Sequence, residues 1–233
     1  MSFEMSKLAG LTAFPMREHQ GQRIHTDVYS PLLHLQKEAA SAGFELGVAS
    51  GFRSFDRQQR IWDDKANGRR AVLSDQGLPL DIDKLAKEQL LHAILRWSAL
   101  PGTSRHHWGT DFDVFDKSAL SANACLQLTL EETQECGPFY EFHQWLSDYL
   151  EQSNCVFFRP YTRPKGGVAP EPWHLSYAPL SSEMQKQFNL HQFSEFIADS
   201  NIALKDLVLD QLDAIYSAYV WVPWSLYPEA YRE

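Results

Sequence analysis

Basic residues are in short supply. The 21 Lys and Arg stand against 30 Asp and Glu, which leaves a formal net charge of −9. With no basic run to concentrate them, that balance argues against broad binding to nucleic acid or anionic membranes, both of which need surplus cations to meet phosphates. Cysteine is scarcer still: Cys125, Cys136 and Cys155 are scattered, and no C-x-x-C pair occurs. That excludes a disulfide framework and a zinc ribbon, although one pair could still bridge and leave one free thiol. No uninterrupted apolar run reaches the length of roughly eighteen residues that a membrane span requires, so none is expected. The opening stretch, MSFEMSKLAGLTAFPMREHQ, lacks the basic segment and sustained apolar run of a signal peptide. The chain as written is therefore expected to be cytoplasmic, or periplasmic if a leader was removed. Repeats and low-complexity tracts are absent as well.

What is present is the composition of an ordinary globular protein: 233 residues, 44% hydrophobic and 22% charged. HTDVYSPLLHLQKEAASAG predicts a helix whose stripe is Val28, Leu32, Leu33, Leu35 and Ala39, ended by Gly43. FELGVAS reads as a short buried strand, and Ser54 as the N-cap of a helix carrying Gln58, Ile61 and Trp62. LDIDKLAKEQLLHAILRWSAL predicts another helix, with Ile82, Leu85, Leu90, Ile94 and Leu95 on its apolar side and Pro101-Gly102 as its stop. SRHHWGTDFDVFD must turn at Gly109 and continue as a strand, because DFDVFD alternates with period two. GPFYEFHQWLSDYLEQSN predicts a further helix, and VFFRPY and PWHLSY two more strands. Beyond Ser181 the pattern becomes two amphipathic helices and an aromatic tail. Helices and short strands without strict βαβ alternation predict an α+β fold. Residues 1–180 are expected to form the main domain, with 181–233 as a helical extension packed on it.

The chemistry concentrates in two places. His106 and Asp113 lie seven residues apart with a glycine turn between them, and Glu171-Pro172-Trp173-His174 follows much later. Two imidazoles and one carboxylate suffice as protein ligands for a catalytic zinc, whose fourth position stays open. A carboxylate three residues from a ligand suits a general base. Pro172 fixes the backbone between Glu171 and His174. Taken singly these are weak signals; their order and combination carry the weight.

SGFRSFDRQ (Ser50 to Gln58), SRHHWGTDFD (Ser104 to Asp113) and EPWH (Glu171 to His174) together resemble the D-alanyl-D-alanine carboxypeptidases of the VanY type. These belong to the LAS zinc metallopeptidases, a group that also takes in lysostaphin-like enzymes and the hedgehog signalling domain. The family pattern is S-G-(Y/F)-R-S…Q, S-x-H-x-x-G-x-A-x-D and E-x-W-H, and the likeness spans roughly Phe44 to Tyr177. It implies a small, mainly antiparallel sheet flanked by helices. By position it implies His106, Asp113 and His174 as ligands of Zn2+ and Glu171 as the general base. It further implies Arg53 as the cation that binds the substrate carboxylate or stabilises transition-state charge. Gln58 and Ser104 then fall at positions that help hold the substrate's C-terminal residue. The expected substrate is a peptidoglycan-derived peptide ending in D-Ala.

One departure stands out. Asp111 replaces the family's small alanine, two residues before Asp113 and on the same strand face. It is either a hydrogen-bonding partner of a ligand histidine or a group that narrows the pocket. The sequence also leaves open whether His106 or its neighbour His107 turns inward. Three other peptidase activities share the ligand set: an L,D-carboxypeptidase, a D,D-dipeptidase and a wall endopeptidase. The stretches NGRRAVLSDQGLPL and TRPKGGVAP are expected to form the rim that chooses among them. A zinc-bearing binding module is the remaining alternative, and Glu171 counts against it, because a binder has no use for a buried base.

Overall fold

A computed structural model of the chain describes residues 4–121, 124–163 and 165–232. After a single helical turn, α1 (Met5–Leu8), the chain forms a hairpin of β1 (Met16–His19) and β2 (Gln22–His25). Gln20 and Gly21 close it with φ of 52° and 76°, the two left-handed residues that a tight hairpin turn needs. Next come α2 (Tyr29–Ser41), β3 (Leu46–Ser50), α3 (Phe55–Ala66), α4 (Lys87–Trp97) and β4 (Asp111–Asp116). Then follow α5 (Leu130–Thr133), α6 (Tyr140–Leu150), β5 (Phe157–Phe158) and β6 (His174–Tyr177).

Four strands make an antiparallel sheet in the order β3-β4-β6-β5. Its two faces differ because side chains alternate along a strand. Phe112 and Val114 of β4, with Leu175 of β6, point into a core closed by Leu32, Leu35 and Ala39 of α2 and Phe142 and Leu146 of α6. Each large apolar side chain buried this way contributes about 1.5–3 kcal/mol relative to exposure. Asp111, Asp113, His174 and Ser176 occupy the opposite face, and all four are buried. The fold is the α+β arrangement of a small antiparallel sheet flanked by helices.

Several elements are shorter than their periodicity predicts. Leu33 is 42% exposed and leaves the α2 stripe to Leu32, Leu35 and Ala39. α4 starts only at Lys87, because Leu85 and Ala86 are extended and the Gln89 side chain accepts the Ala86 N–H. Pro160 and Pro172 supply no N–H to a ladder, and the strands expected around them contract to Phe157–Phe158 and His174–Tyr177. Ser54 does cap α3, its Oγ accepting from Arg57 N at 3.3 Å. The three cysteines are free thiols, Cys155 buried and the others exposed.

Past the sheet, the described residues form four short helices where the sequence pattern predicts two: α7 (Ala178–Gln187), α8 (Leu190–Asp199), α9 (Lys205–Asp210) and α10 (Leu212–Ile215). Phe188 is extended, and Asn189 caps α8 by accepting from Gln192 N, so the apolar periodicity is cut into pieces. Phe193, Ile197, Val208 and Ile215 bury against Phe55 and Trp62 of α3 and Leu91 and Ile94 of α4. Trp62 Nε1 also donates to Ala203 O at 2.8 Å. This C-terminal stretch therefore braces α3, the helix that follows SGFRS. No helix among the described residues is long and apolar enough to cross a membrane.

Candidate active site

Strand register brings the distant motifs together. Asp113 of β4 sits directly opposite His174 of β6 and, on its other side, opposite Ser50 of β3. Paired positions put side chains within contact distance. His106 arrives from a tight helical turn, Arg105–Trp108, that ends at Gly109 with φ 69°. A side chain at 109 would come 2.7 Å from Met16 Sδ and 2.9 Å from His25 N. Glycine is required there both for the turn and for the close approach of β2, and the turn returns the chain so that His106 lies beside Asp113.

Hydrogen bonds assign the ring nitrogens. His106 Nδ1 donates to Gly51 O at 3.0 Å, which leaves Nε2 as a lone pair 3.5 Å from Asp113 Oδ2. His174 Nε2 donates to Asp111 Oδ1 at 3.1 Å, and its Nδ1 lies 3.3 Å from both Asp113 Oδ1 and Glu171 Oε2. Ligand atoms of His106, Asp113 and His174 all lie within 4.8 Å of one another. Asp113 Oδ1 and His174 Nδ1 are buried yet make no hydrogen bond with any described residue. Buried polar atoms are rarely left so. Two imidazole nitrogens and a carboxylate converging with orphaned lone pairs fit a divalent cation such as zinc.

His107 is settled by the same criterion. Its Nδ1 donates to Arg53 O at 2.6 Å and its Nε2 accepts from Gly102 N at 3.1 Å. Both nitrogens are used by the backbone, and burial pushes the ring down to about 4. It is a neutral brace that cannot turn a lone pair into the cleft.

The electrostatics agree with a cation site. Burial, outweighing the nearby Asp113 carboxylate, pushes His106 down to about 3, so its imidazole is neutral. Burial would raise Asp113, but His106, His174 and Arg53 together hold it below the usual carboxylate range. Burial would lower His174; the carboxylates of Asp111, Asp113 and Glu171 reverse that and raise it well above the ordinary value.

Behind His174 stands a residue whose partner only the fold reveals. Arg105, fully enclosed, donates through Nε to Asp111 Oδ1 at 2.8 Å and through Nη2 to Ser176 Oγ at 2.7 Å. Gln185 of α7 and Tyr227 complete its shell at 3.4 and 3.3 Å. Burial notwithstanding, the Arg105 guanidinium and the bonds from His174 and Thr110 hold the Asp111 carboxyl far below the usual range. Asp111 therefore partners a histidine and does not narrow the cleft. Arg105 was missed in the sequence, although it stands inside SRHHWGTD. An aspartate at a buried strand position demands a cation, and Arg105 stands within the same motif.

The cleft itself holds about 120 Å3 and is lined by Arg53, Ser104, His106, Asp113, Glu171 and His174, with Tyr161 beside them. Tyr161 is the second residue missed; its ring meets that of His174 edge-on at 4.8 Å between centroids. Arg53 Nη1 donates to Gln58 Oε1 at 2.8 Å, while its Nε is buried without a partner among the described residues. Gln58 is fully buried under Arg53, its amide nitrogen spent on Ala99 O at 2.7 Å, and it does not line the cleft. Of the two expected rim stretches, Val168 borders this cleft, and Leu73, Asp75, Gln76 and Gly77 border an adjoining cavity. Pro164, within TRPKGGVAP, lies outside the described residues.

Comparison with known proteins covers the same part of the chain. The family profile described as VanY, D-alanyl-D-alanine carboxypeptidase, matches residues 21–180, a span that contains every residue named above for the cleft. A D-alanyl-D-alanine carboxypeptidase of Enterococcus faecalis is 27% identical over 165 residues, 70% of this chain and 51% of that one. The chain thus spans about half the length of that relative. An uncharacterized protein of Haemophilus influenzae is 32% identical over 123 residues, 52% of this chain and 92% of the relative. The crystal structure of the vancomycin resistance D,D-pentapeptidase VanY from a VanB-type cassette, in complex with Zn(II), superposes with a TM-score of 0.51 at 23% identity, covering 76% of this chain and 84% of that one. VanYB in complex with D-alanine-D-alanine gives 0.51 at 22%, covering 82% and 91%. These two likenesses show a shared fold.

Proposed function

Because the chain belongs to the VanY D-alanyl-D-alanine carboxypeptidase family, we propose that it is a zinc-dependent carboxypeptidase that removes a terminal D-Ala from peptidoglycan stem peptides. The observation that carries this reading is the convergence of His106 Nε2, Asp113 and His174 Nδ1 beside Glu171, with a cation facing the same cleft. His106, Asp113 and His174 would hold the metal, which when bound supplies Lewis acidity toward a carbonyl oxygen and acidifies water.

The chain's own groups carry the remaining steps. Glu171 accepts a proton from the attacking water and hands it to the leaving amine as the C–N bond breaks and the new C–O bond forms. Arg53, whose buried Nε has no partner among the described residues, receives the substrate's terminal carboxylate through parallel hydrogen bonds. Gln58 acts through Arg53 by fixing its Nη1, and Ser104 lines the pocket for the C-terminal residue. Residues 1–180 make up the peptidase unit in this reading, and 181–233 an extension that steadies α3 and the Arg105 shell.

The deciding experiment offers pentapeptide and tetrapeptide stem peptides to zinc-loaded wild type and to Glu171→Ala. Release of D-Ala by the wild type is expected, with a loss of at least about 100-fold in the variant and zinc content unchanged. Pentapeptide as the only substrate favours the D,D reading, and tetrapeptide the L,D one. No release from either by a protein that holds zinc would overturn the proposal.

A further inference from the structure

The buried face of α3 is made by Phe55, Gln58, Trp62 and Lys65. The spacing of three and four is that of a core stripe, and its last position is a lysine only 7% exposed. Lysine is almost never so buried unless paired. Yet the Lys65 ammonium makes no ion pair and no hydrogen bond with any described residue.

What Lys65 does border is a cavity of about 420 Å3 next to the reacting cleft, with which it shares Trp97, Glu171 and Trp173 as a common wall. The acidic groups around that cavity are otherwise engaged or distant. Asp75 is tied to Arg96 Nε at 3.0 Å, Glu131 lies on the exposed rim, and Glu171 stands beyond ion-pair distance from Lys65 while facing His174. Burial first, and then the Arg70 charge, bring Lys65 down to about 8 against the opposing pull of Glu171. A lysine whose side chain is buried while its ammonium borders a partly polar cavity, held by Glu171 only beyond ion-pair distance, can receive an anion there.

We propose that Lys65 anchors a second carboxylate subsite, in the cavity that adjoins the cleft, and reads an acidic residue of the peptide upstream of the scissile bond. This rests on the peptidase reading for its substrate: Arg53 takes the terminal carboxylate, and the acyl portion leaves the cleft past Glu171 and Trp173 into the Lys65 cavity. The ligand class is an acidic peptide, and the group recognised is a free carboxylate rather than its amide.

The test uses paired synthetic peptides with the same D-Ala-D-Ala end, differing only in an upstream carboxylate or carboxamide. Zinc-loaded wild type should prefer the acid by roughly tenfold in kcat/KM, the worth of one charge-assisted hydrogen bond, with the difference in KM. Lys65→Met should bring the acid-to-amide ratio to about one, and Lys65→Arg should restore most of it, which separates recognition from a folding defect. Equal turnover of both peptides by the wild type, or a Lys65→Met effect that falls equally on both, would overturn the subsite and leave the peptidase reading standing. A second arm measures binding of the uncleavable upstream fragments, acid and amide, through Trp97 and Trp173 fluorescence. If nothing is cleaved but the acid fragment still binds in a Lys65-dependent way, the reaction is misassigned and the subsite survives. If neither discrimination is seen, the subsite falls.

Discussion

Asp111 Oδ1 lies 3.1 Å from His174 Nε2 and, at the same oxygen, 2.8 Å from Arg105 Nε. One buried carboxylate therefore fixes the imidazole tautomer and is itself neutralised by a permanent cation. The arrangement keeps the His174 Nδ1 lone pair aimed at Asp113 without leaving a bare charge inside the fold. Asp111→Asn preserves the shape but strips the charge from beside Arg105. Zinc affinity, measured by chelator competition, should fall roughly 10–100-fold, the usual effect of removing an orienting partner of a ligand histidine. Unaltered affinity would mean that His174 is held by packing alone.

Arg53 offers a sharper test of geometry against charge. Its Nη1 is committed to Gln58, its Nε makes no hydrogen bond with any described residue, and the side chain borders the cleft, so in this reading one planar group spans a positioning contact and a ligand contact. Lysine presents a point charge and cannot do both. Arg53→Lys should lower kcat/KM on carboxylate-terminated peptides by roughly 100-fold, the loss of a bidentate charge-assisted pair. Peptides ending in an amide should show little further loss. Normal turnover by the lysine variant would remove the carboxylate clamp.

How much of this was readable in advance depends on the range of the interaction. Local devices were: Ser54 caps α3, Gly109 turns the chain, and the alternation of DFDVFD separates Asp111 and Asp113 from Phe112 and Val114. The resemblance pointed to His106 over His107, but the physical reason for that choice was not legible. It depends on carbonyls of Gly51 and Arg53, far away in the chain. Nor was the pairing of Arg105 with Asp111, since an arginine in a loop motif reads as solvated until the sheet encloses it. Lys65 escaped for the converse reason: a polar residue at a core position of a helix is invisible when the stripe is judged only by its apolar members. The splitting of the C-terminal helices came from Phe188 and Asn189, where capping overrides periodicity.

Metal removal should register as lost stability. Without a cation, Asp113 Oδ1 and His174 Nδ1 remain buried and unbonded among the described residues, an arrangement that disfavours the folded state. Zinc at about 100 times its dissociation constant should add about 2.7 kcal/mol of stability, read as an upward shift of the melting transition and reversed by chelator. Asp113→Asn and His106→Ala should each abolish that shift. A chain that melts identically with and without zinc would sink the metal site.

Acid should act on the protein through a second histidine, away from the cleft. His143 is buried, its Nε2 has no partner among the described residues, and Arg159 Nη2 lies 3.4 Å from its Nδ1. Burial first, and then the Arg159 charge, push the ring down to about 3. The unfolded chain, with His143 near its ordinary 6.5, takes the proton first. Its contribution is therefore intact above about pH 6.5 and is lost progressively as the pH falls toward 3, at about 1.4 kcal/mol per pH unit. Arg159 also donates to Ser147 Oγ and to Pro172 O, each at 2.7 Å, so a charged His143 would strain the strap that holds Glu171 and His174 in register. His143→Leu removes both the proton and the unsatisfied nitrogen. Denaturant melts between pH 7 and 4 should show a shallower pH slope for the variant by about that 1.4 kcal/mol per unit, with the two curves converging at neutral pH apart from a constant offset. Parallel curves would mean that His143 is protonated in the folded protein and that Arg159 has moved to accommodate it.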